Sequence, residues 1–292
     1  MYRELLKTVL ALQSETYHEW RVFAFIIRFL KKNNIDFHVD DAGSIYAVKG
    51  EADLYPCLIS HIDTVAEIQS NKTVIELNNC LFAMNKHSME RVDIGGDDLV
   101  GVANCLQALL DFDVMKAVFF KEEEVGCNCS YQADVSFFDD VSFGLQYDRK
   151  GNSGFVVNAC GTELSSFEFQ DSISGILYDY GYKFVQGGMT DVMALKEIGV
   201  SCNLTNIECG YYNPHSSDSF VVIEEAEHAL KMGYEIIKMY GQTEFTKHTV
   251  KSEYEYQKEW FSEMEYCIDC NKECSDNNTG LCLACEQHYQ YA

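Results

Sequence analysis

Apolar residues recur along this chain in two rhythms. A helical spacing covers about Tyr2 to Leu12 and His18 to Asn33, where Trp20, Phe23, Ile26, Ile27 and Leu30 should form one core face. Two short strand-like runs, Phe37 to Asp40 and Ile45 to Val48, flank a turn at Asp41-Ala42-Gly43-Ser44. Further on, strands are predicted at Leu58–Ser60, Lys116–Phe120, Phe143–Tyr147 and Ser201–Ile207. Helices are predicted at Leu99–Leu110, Phe167–Tyr178, Asp191–Glu197 and Ile223–Met239. Strands alternating with helices predict an α/β fold, a mostly parallel mixed sheet covered by helices on both faces. Such sheets bind ligands at the carboxyl ends of their strands.

The alternation stops near residue 245, which divides the chain into a core, 1–245, and a tail, 246–292. The tail opens with a charged linker and ends in two Cys-x-x-Cys pairs, Cys267 with Cys270 and Cys282 with Cys285, eleven residues apart. Each pair can aim two thiolates at one metal, so the four predict a small zinc ribbon around one structural zinc ion. Cys274 and His288 are surplus to that set. The tail holds four lysines against nine acids, which disfavours phosphate binding and points to a protein partner or a homo-oligomer contact, or to a substitute lid.

Charge narrows the function further. Forty-six acids against 22 Lys and Arg give a formal net charge of −24, which repels nucleic acid and anionic membrane surfaces. The most apolar run, Val22 to Leu30, is too short to span a bilayer and contains Arg28. The first twenty residues lack the plan of a signal peptide. With 13 cysteines this predicts a reducing, cytoplasmic setting, in which the thiols are free or bind metal.

Five polar motifs sit at strand ends or helix starts: Ser60-His61-Ile62-Asp63, Gly95-Gly96-Asp97-Asp98, Glu122-Glu123-Glu124-Val125-Gly126, Tyr147-Asp148 and Pro214-His215-Ser216. Each alone has an ordinary explanation: an isolated His-x-Asp, an N-cap, an exposed acidic run, a turn Asp, a loop His. The acidic pair and triple are harder to explain that way, because adjacent like charges repel unless a cation offsets them. Two histidines with several carboxylates suit zinc, manganese or cobalt. No cysteine falls inside these motifs, which favours a catalytic over a structural metal.

The order His-x-Asp, Gly-x-Asp-Asp, Glu-Glu-Val-Gly, Asp, His resembles the co-catalytic dizinc exopeptidases: leucyl aminopeptidase, glutamyl aminopeptidase, peptidase T and related deacylases. The likeness covers about residues 5 to 241, and extends to Asp41–Gly50 and Gly188-Met189-Thr190-Asp191. It implies two zinc ions, replaceable by Mn²⁺ or Co²⁺. Asp97 would bridge them, with His61 and Asp148 completing one site and Glu124 and His215 the other. Asp63 would orient His61, Glu123 would act as general base toward a metal-bridging hydroxide, and the Asp97–Asp98 peptide would be cis. The implied activity is an aminopeptidase-like exopeptidase on peptide substrates. The alternatives are a deacylase or other amidohydrolase on a small amide and, less well supported, a peptide-binding protein with a relict site. Relatives carry lid or inserted domains between ligands. Here the interval from Asp148 to His215 reads as a helix-strand-helix-strand run, and that from His61 to Asp97 has room for a hairpin around Val74 to Met84. The resemblance therefore implies a lidless catalytic core.

Overall fold

The structure, a computed structural model, describes residues 2–250. Met1 and residues 251–292 lie outside the described residues. The predicted zinc ribbon falls there: Cys267, Cys270, Cys282 and Cys285 all lie outside the described residues, and so does the structural zinc site expected of them. In chain order the elements are α1 (Tyr2–Leu10), α2 (Trp20–Lys32), β1 (Asp36–Val39), β2 (Ile45–Lys49), β3 (Tyr55–His61), β4 (Lys72–Leu77), β5 (Cys80–Asn85) and β6 (Arg91–Val92). Then follow α3 (Gly96–Asp111), β7 (Met115–Phe120), two short 3₁₀ turns, β8 (Val141–Arg149), β9 (Gly154–Ala159), β10 (Thr162–Glu163), α4 (Phe167–Asp179) and β11 (Lys183–Gly187). The last are α5 (Asp191–Glu197), β12 (Asn203–Glu208), β13 (Tyr211–Tyr212), β14 (Phe220–Val222) and α6 (Ile223–Tyr240).

Nine strands form the main sheet in the order β1-β2-β7-β3-β8-β12-β9-β10, with β11 on β9. The four central strands β7, β3, β8 and β12 are parallel, and antiparallel pairs flank them. Side chains alternate across this sheet as strand geometry requires. Leu58, Ala117, Phe119 and Leu145 face one core with α1, α2, α3, α4 and α6. Cys57, Ile59, Val118 and Phe120 face the other, covered by α5 and the 3₁₀ turn at Val135–Phe138. The predicted α/β architecture is therefore present, with most helices on one face. Every strand between Asp148 and β13 joins the main sheet, so that interval builds no separate lid among the described residues.

One predicted core position is wrong. Trp20 is 64% exposed, with the Arg21 guanidinium over its ring at 5.2 Å. Helix α2 begins at Trp20, and its buried stripe is Val22, Ile26 and Leu30 at four-residue steps. Trp20 lies off that stripe, and Phe23 and Ile27 lie on its flank, half-buried.

A second, antiparallel sheet (β13-β14-β5-β4, with β6 on β5) assembles from two distant stretches. One is the interval between His61 and Asp97, which yields three strands rather than a hairpin alone. The other is the hairpin whose loop carries His215. Past α6 the chain returns beneath the main sheet. Phe245 packs on Phe143 and Phe169, and the His248 N–H donates to the Ser201 carbonyl at 2.7 Å. Both contacts lie at the amino ends of β8 and β12, opposite the strand ends that carry His61 and Asp148. No helix among the described residues is long and apolar enough to cross a membrane.

Candidate metal centre

Register places the first ligands. Ile59 pairs with Gln146, so two residues later His61, the last residue of β3, is level with Asp148 near the end of β8. Phe120 pairs with His61, and the chain leaving β7 turns at Glu122 in the left-handed region (φ 57°), uncommon for a residue with a side chain. That turn sends the three glutamates different ways. Glu123 Oε2 lies 3.9 Å from His61 Nε2, and Glu124 Oε1 lies 3.1 Å from His215 Nε2. Glu122 instead accepts from the Asn128 side chain.

Asp97 sits between the two groups. Its Oδ1 is 3.3 Å from His61 Nε2, and its Oδ2 is 3.5 Å from His215 Nε2. Asp148 Oδ1 is 3.4 Å from His61 Nε2. Two sets thus converge, His61/Asp97/Asp148 and Asp97/Glu124/His215, each offering ligand atoms within 4.8 Å of one another, and Asp97 belongs to both. The Asp97–Asp98 peptide is cis. Asp97 and Asp98 break the helical backbone in the first turn of α3, and buried Asp98 caps the regular helix that follows, accepting from the backbone N–H of Gly101 (3.0 Å) and also of His61 (3.3 Å).

The electrostatics show excess negative charge. Burial, and next the charge of Asp97, pushes the Asp148 carboxyl up to about 8. Burial, with Asp148 and Asp191 among the neighbouring acids, pushes Glu123 up to about 10. Burial also works against Asp97, yet hydrogen bonds from His215 and His61 hold it well below the usual carboxylate range. Burial opposes protonation of His61, but the charges of Glu123 and Asp148 override it and raise its pKa. His215 is pushed up to about 10, first by its hydrogen bond to Asp97. Carboxyls held this high fit a site built for divalent cations, and imidazole with carboxylate is the donor set such ions take.

No protein-family model matches this chain, and no curated protein sequence matches it. Solved structures do. A tripeptidase from Staphylococcus aureus subsp. aureus Mu50 aligns with a TM-score of 0.67 at 12% identity, over 83% of this chain and 98% of that one. The aminopeptidase PepT from Bacillus cereus ATCC 10987 aligns with a TM-score of 0.66 at 11% identity, over 81% and 97%. The TET1 peptidase of Pyrococcus horikoshii, which can assemble into a tetrahedron or a large octahedral shell, aligns with a TM-score of 0.60 at 15% identity, over 80% and 98%. The chain has the fold of these peptidases.

Around the centre, this peptidase fold supplies partners that the motifs alone do not reveal. The His61 Nδ1 lies 3.0 Å from the Asp63 carbonyl oxygen and 3.4 Å from its carboxylate. That carboxylate accepts from the N–H groups of Glu123 (3.1 Å) and Glu124 (3.3 Å) and from the Thr16 hydroxyl (3.0 Å). Asp63 therefore fixes the loop of glutamates as well as the imidazole. Asp148 Oδ2 is met by the Gln146 amide (3.2 Å), the Thr190 hydroxyl (3.1 Å) and the Asn206 amide (3.4 Å), and the Tyr211 hydroxyl reaches its Oδ1 at 3.5 Å. Gln146 also donates to buried Asp191, whose carboxyl burial pushes up to about 6. The Cys127 thiol lies against Glu123 Oε1 at 3.7 Å. A signal for Gln146 existed in the sequence, a polar residue in the otherwise apolar run Phe143–Tyr147, and a buried amide needs partners; Asn206 shares its strand with Asn203, Thr205 and Glu208 and carried no such signal.

Proposed function

We propose that this protein is a metal-dependent exopeptidase of the aminopeptidase kind, hydrolysing peptide bonds at a dinuclear centre. The observation that carries this reading is the pair of ligand sets sharing Asp97, with a further carboxylate, Glu123, beside them and bound to neither histidine at hydrogen-bond distance. His61, Asp97 and Asp148 would hold one ion, and Asp97, Glu124 and His215 the other. Bound there, two divalent ions would lower the pKa of a water and polarise the scissile carbonyl. Glu123 takes the water's proton and returns it to the leaving amine, and burial gives its carboxyl the raised proton affinity that such a shuttle uses. Asp63 holds the His61 ring through Nδ1, which leaves Nε2 free to serve as a ligand. The fold shared with a tripeptidase and aminopeptidases supports the peptide as substrate, and the assembling TET1 peptidase makes light scattering on the pure protein worthwhile.

The test is elemental analysis of protein purified with zinc, alongside rates on aminoacyl-arylamides, short peptides with free and blocked amino termini, and N-acetyl amino acids. Expected are two ions in the centre plus one held by Cys267, Cys270, Cys282 and Cys285 in the tail, and turnover confined to free amino termini. Preferential cleavage of N-acetyl amino acids would make the protein a deacylase, and one ion or none would remove the dinuclear reading.

A further inference from the structure

The two ligand sets are supported unequally. His61 and Asp148 belong to central strands of the main sheet, and their side chains are buried. His215 stands on the loop between β13 and β14, its side chain 44% exposed and its backbone left-handed (φ 59°), as is that of Asn213 (φ 51°). A histidine so placed needs something to fix the loop, because few packed atoms around it do so.

The fixing contacts converge on Ser219, at the base of the loop. Its buried hydroxyl donates to Asp93 Oδ1 at 2.7 Å and accepts from the Ile94 N–H at 2.8 Å. Its carbonyl accepts from the Arg91 guanidinium at 2.9 Å. The same Asp93 oxygen accepts from the Gly95 N–H at 2.8 Å, and the Lys72 ammonium donates to the Ile94 carbonyl at 2.9 Å. Gly95 is the left-handed residue (φ 72°) that precedes α3, and Asp97 follows two residues later. One serine hydroxyl and one carboxylate oxygen thus link the loop of His215 to the turn that sets Asp97. The loop itself, residues 213–219, makes no hydrogen bond to β3 or β8 among the described residues; the hairpin's first strand is tied there instead, the Gly151 N–H, just past β8, donating to the Tyr211 carbonyl at 3.1 Å and the Tyr211 hydroxyl reaching Asp148 at 3.5 Å.

We infer that Asp93 and Ser219 are positioning residues for the second ion: they hold His215 against Asp97 and Glu124, so their loss weakens the Asp97/Glu124/His215 set and spares the His61/Asp97/Asp148 set. The inference rests on the dinuclear reading above. Neither residue offers an atom to either set; the clasp acts on ligand geometry, as partners behind metal ligands do, where removal costs about 10–100-fold in affinity. It also explains what the interval between His61 and Asp97 does. Its strands β5 and β6 and the turn after them form the seat for the His215 hairpin.

The experiment is stepwise Mn²⁺ binding to the full-length protein, followed by competition with a chelator and by the Mn²⁺ resonance signal. Mn²⁺ is chosen because four thiolates bind it poorly, which keeps the tail out of the count. Wild type should take up two ions. In Ser219→Ala the weaker step should fall roughly 10–100-fold with the tighter step unchanged, and the spin-coupled signal should give way to that of a single ion; Asp93→Asn, whose amide oxygen can still accept both bonds, should weaken the same step less. Ser219→Thr, which keeps the hydroxyl, should restore the second step. Ser142→Ala serves as a control, since that hydroxyl binds the Tyr240 and Thr243 carbonyls at the opposite end of the sheet; it should lower stability and leave both steps alone. Equal weakening of both steps, no weakening of either, or failure of Ser219→Thr to rescue would overturn the clasp. Fewer than two ions on wild type would instead overturn the dinuclear reading beneath it.

Discussion

At the amino ends of the central strands the buried charges are two lysines, and each has its partners. The Lys116 ammonium binds the Phe137 carbonyl (2.8 Å) and the Asp140 carboxylate, and lies 4.3 Å from the centre of the Phe137 ring. Lys196 is 1% exposed and donates to three carbonyls, those of Val200, Cys202 and His248. At the carboxyl ends six acids, Asp63, Asp97, Asp98, Glu123, Asp148 and Asp191, crowd together around two histidines and a few neutral donors. The difference is satisfaction: the lysines are complete within the protein, whereas the acids hold more negative charge than their two histidines can offset. A buried ion with a full set of partners reads as architecture; a cluster of one sign reads as a place for something else to bind.

That contrast can be broken by substitution, and the effects should grade with it. Asp97→Asn weakens a ligand shared by both sets and should abolish both metal uptake in the centre and turnover, read by elemental analysis and initial rates. Glu123→Gln should leave metal content intact and lower turnover by roughly 10²–10⁴-fold; loss of metal instead would exchange the roles assigned to Glu123 and Glu124. Asn206→Leu takes one donor from Asp148 and should cost about 10–100-fold in metal affinity or activity.

At the other end, Lys196→Met should lower stability by about 1–3 kcal/mol, because carbonyls lose their donor, while activity per folded molecule stays unchanged. Its signature is a pH slope. Burial lowers the Lys196 pKa from 10.5 to about 8, so between those values the unfolded chain binds the proton more fully than the folded one. Stability attributable to this group therefore rises with pH through that window, and the cost of burying the charge is fully present below about 8. Denaturant titrations across the window should show the rise in wild type and its loss in the variant. The smallest effect is expected from deleting residues 251–292, which keeps His248 on Lys196. Hydrolysis of a small aminoacyl-arylamide should be unchanged, and an insoluble product would place the tail within the core.

The same contrast explains what the sequence could tell. Strands β3, β7 and β8 and helices α3 to α6 were legible because burial imposes a period, and the acidic motifs because like charges in sequence demand an explanation. The adjacent pair splits its work, Asp98 accepting from backbone N–H groups and Asp97 facing the histidines. Strand β9 and the short strands β6, β10, β13 and β14 were not legible, because two to six residues carry little periodicity, whereas β11 is the strand read between the two helices of the Asp148–His215 interval. The union of β5 with β14 is a long-range event that no local pattern announces. Trp20 failed for another reason: an apolar residue in a helix's first turn can match the spacing and still fall beside the face.

The return of the chain beneath the sheet bears on how this protein could be combined with others. His248 is anchored to Ser201, level by register with the first residue of β8, and Asp148 lies seven residues along that strand, about 23 Å away at 3.3 Å per residue. A partner that gripped residues 245–248 would therefore sit at the amino ends of the strands and leave the carboxyl ends, where His61 and Asp148 stand, uncovered.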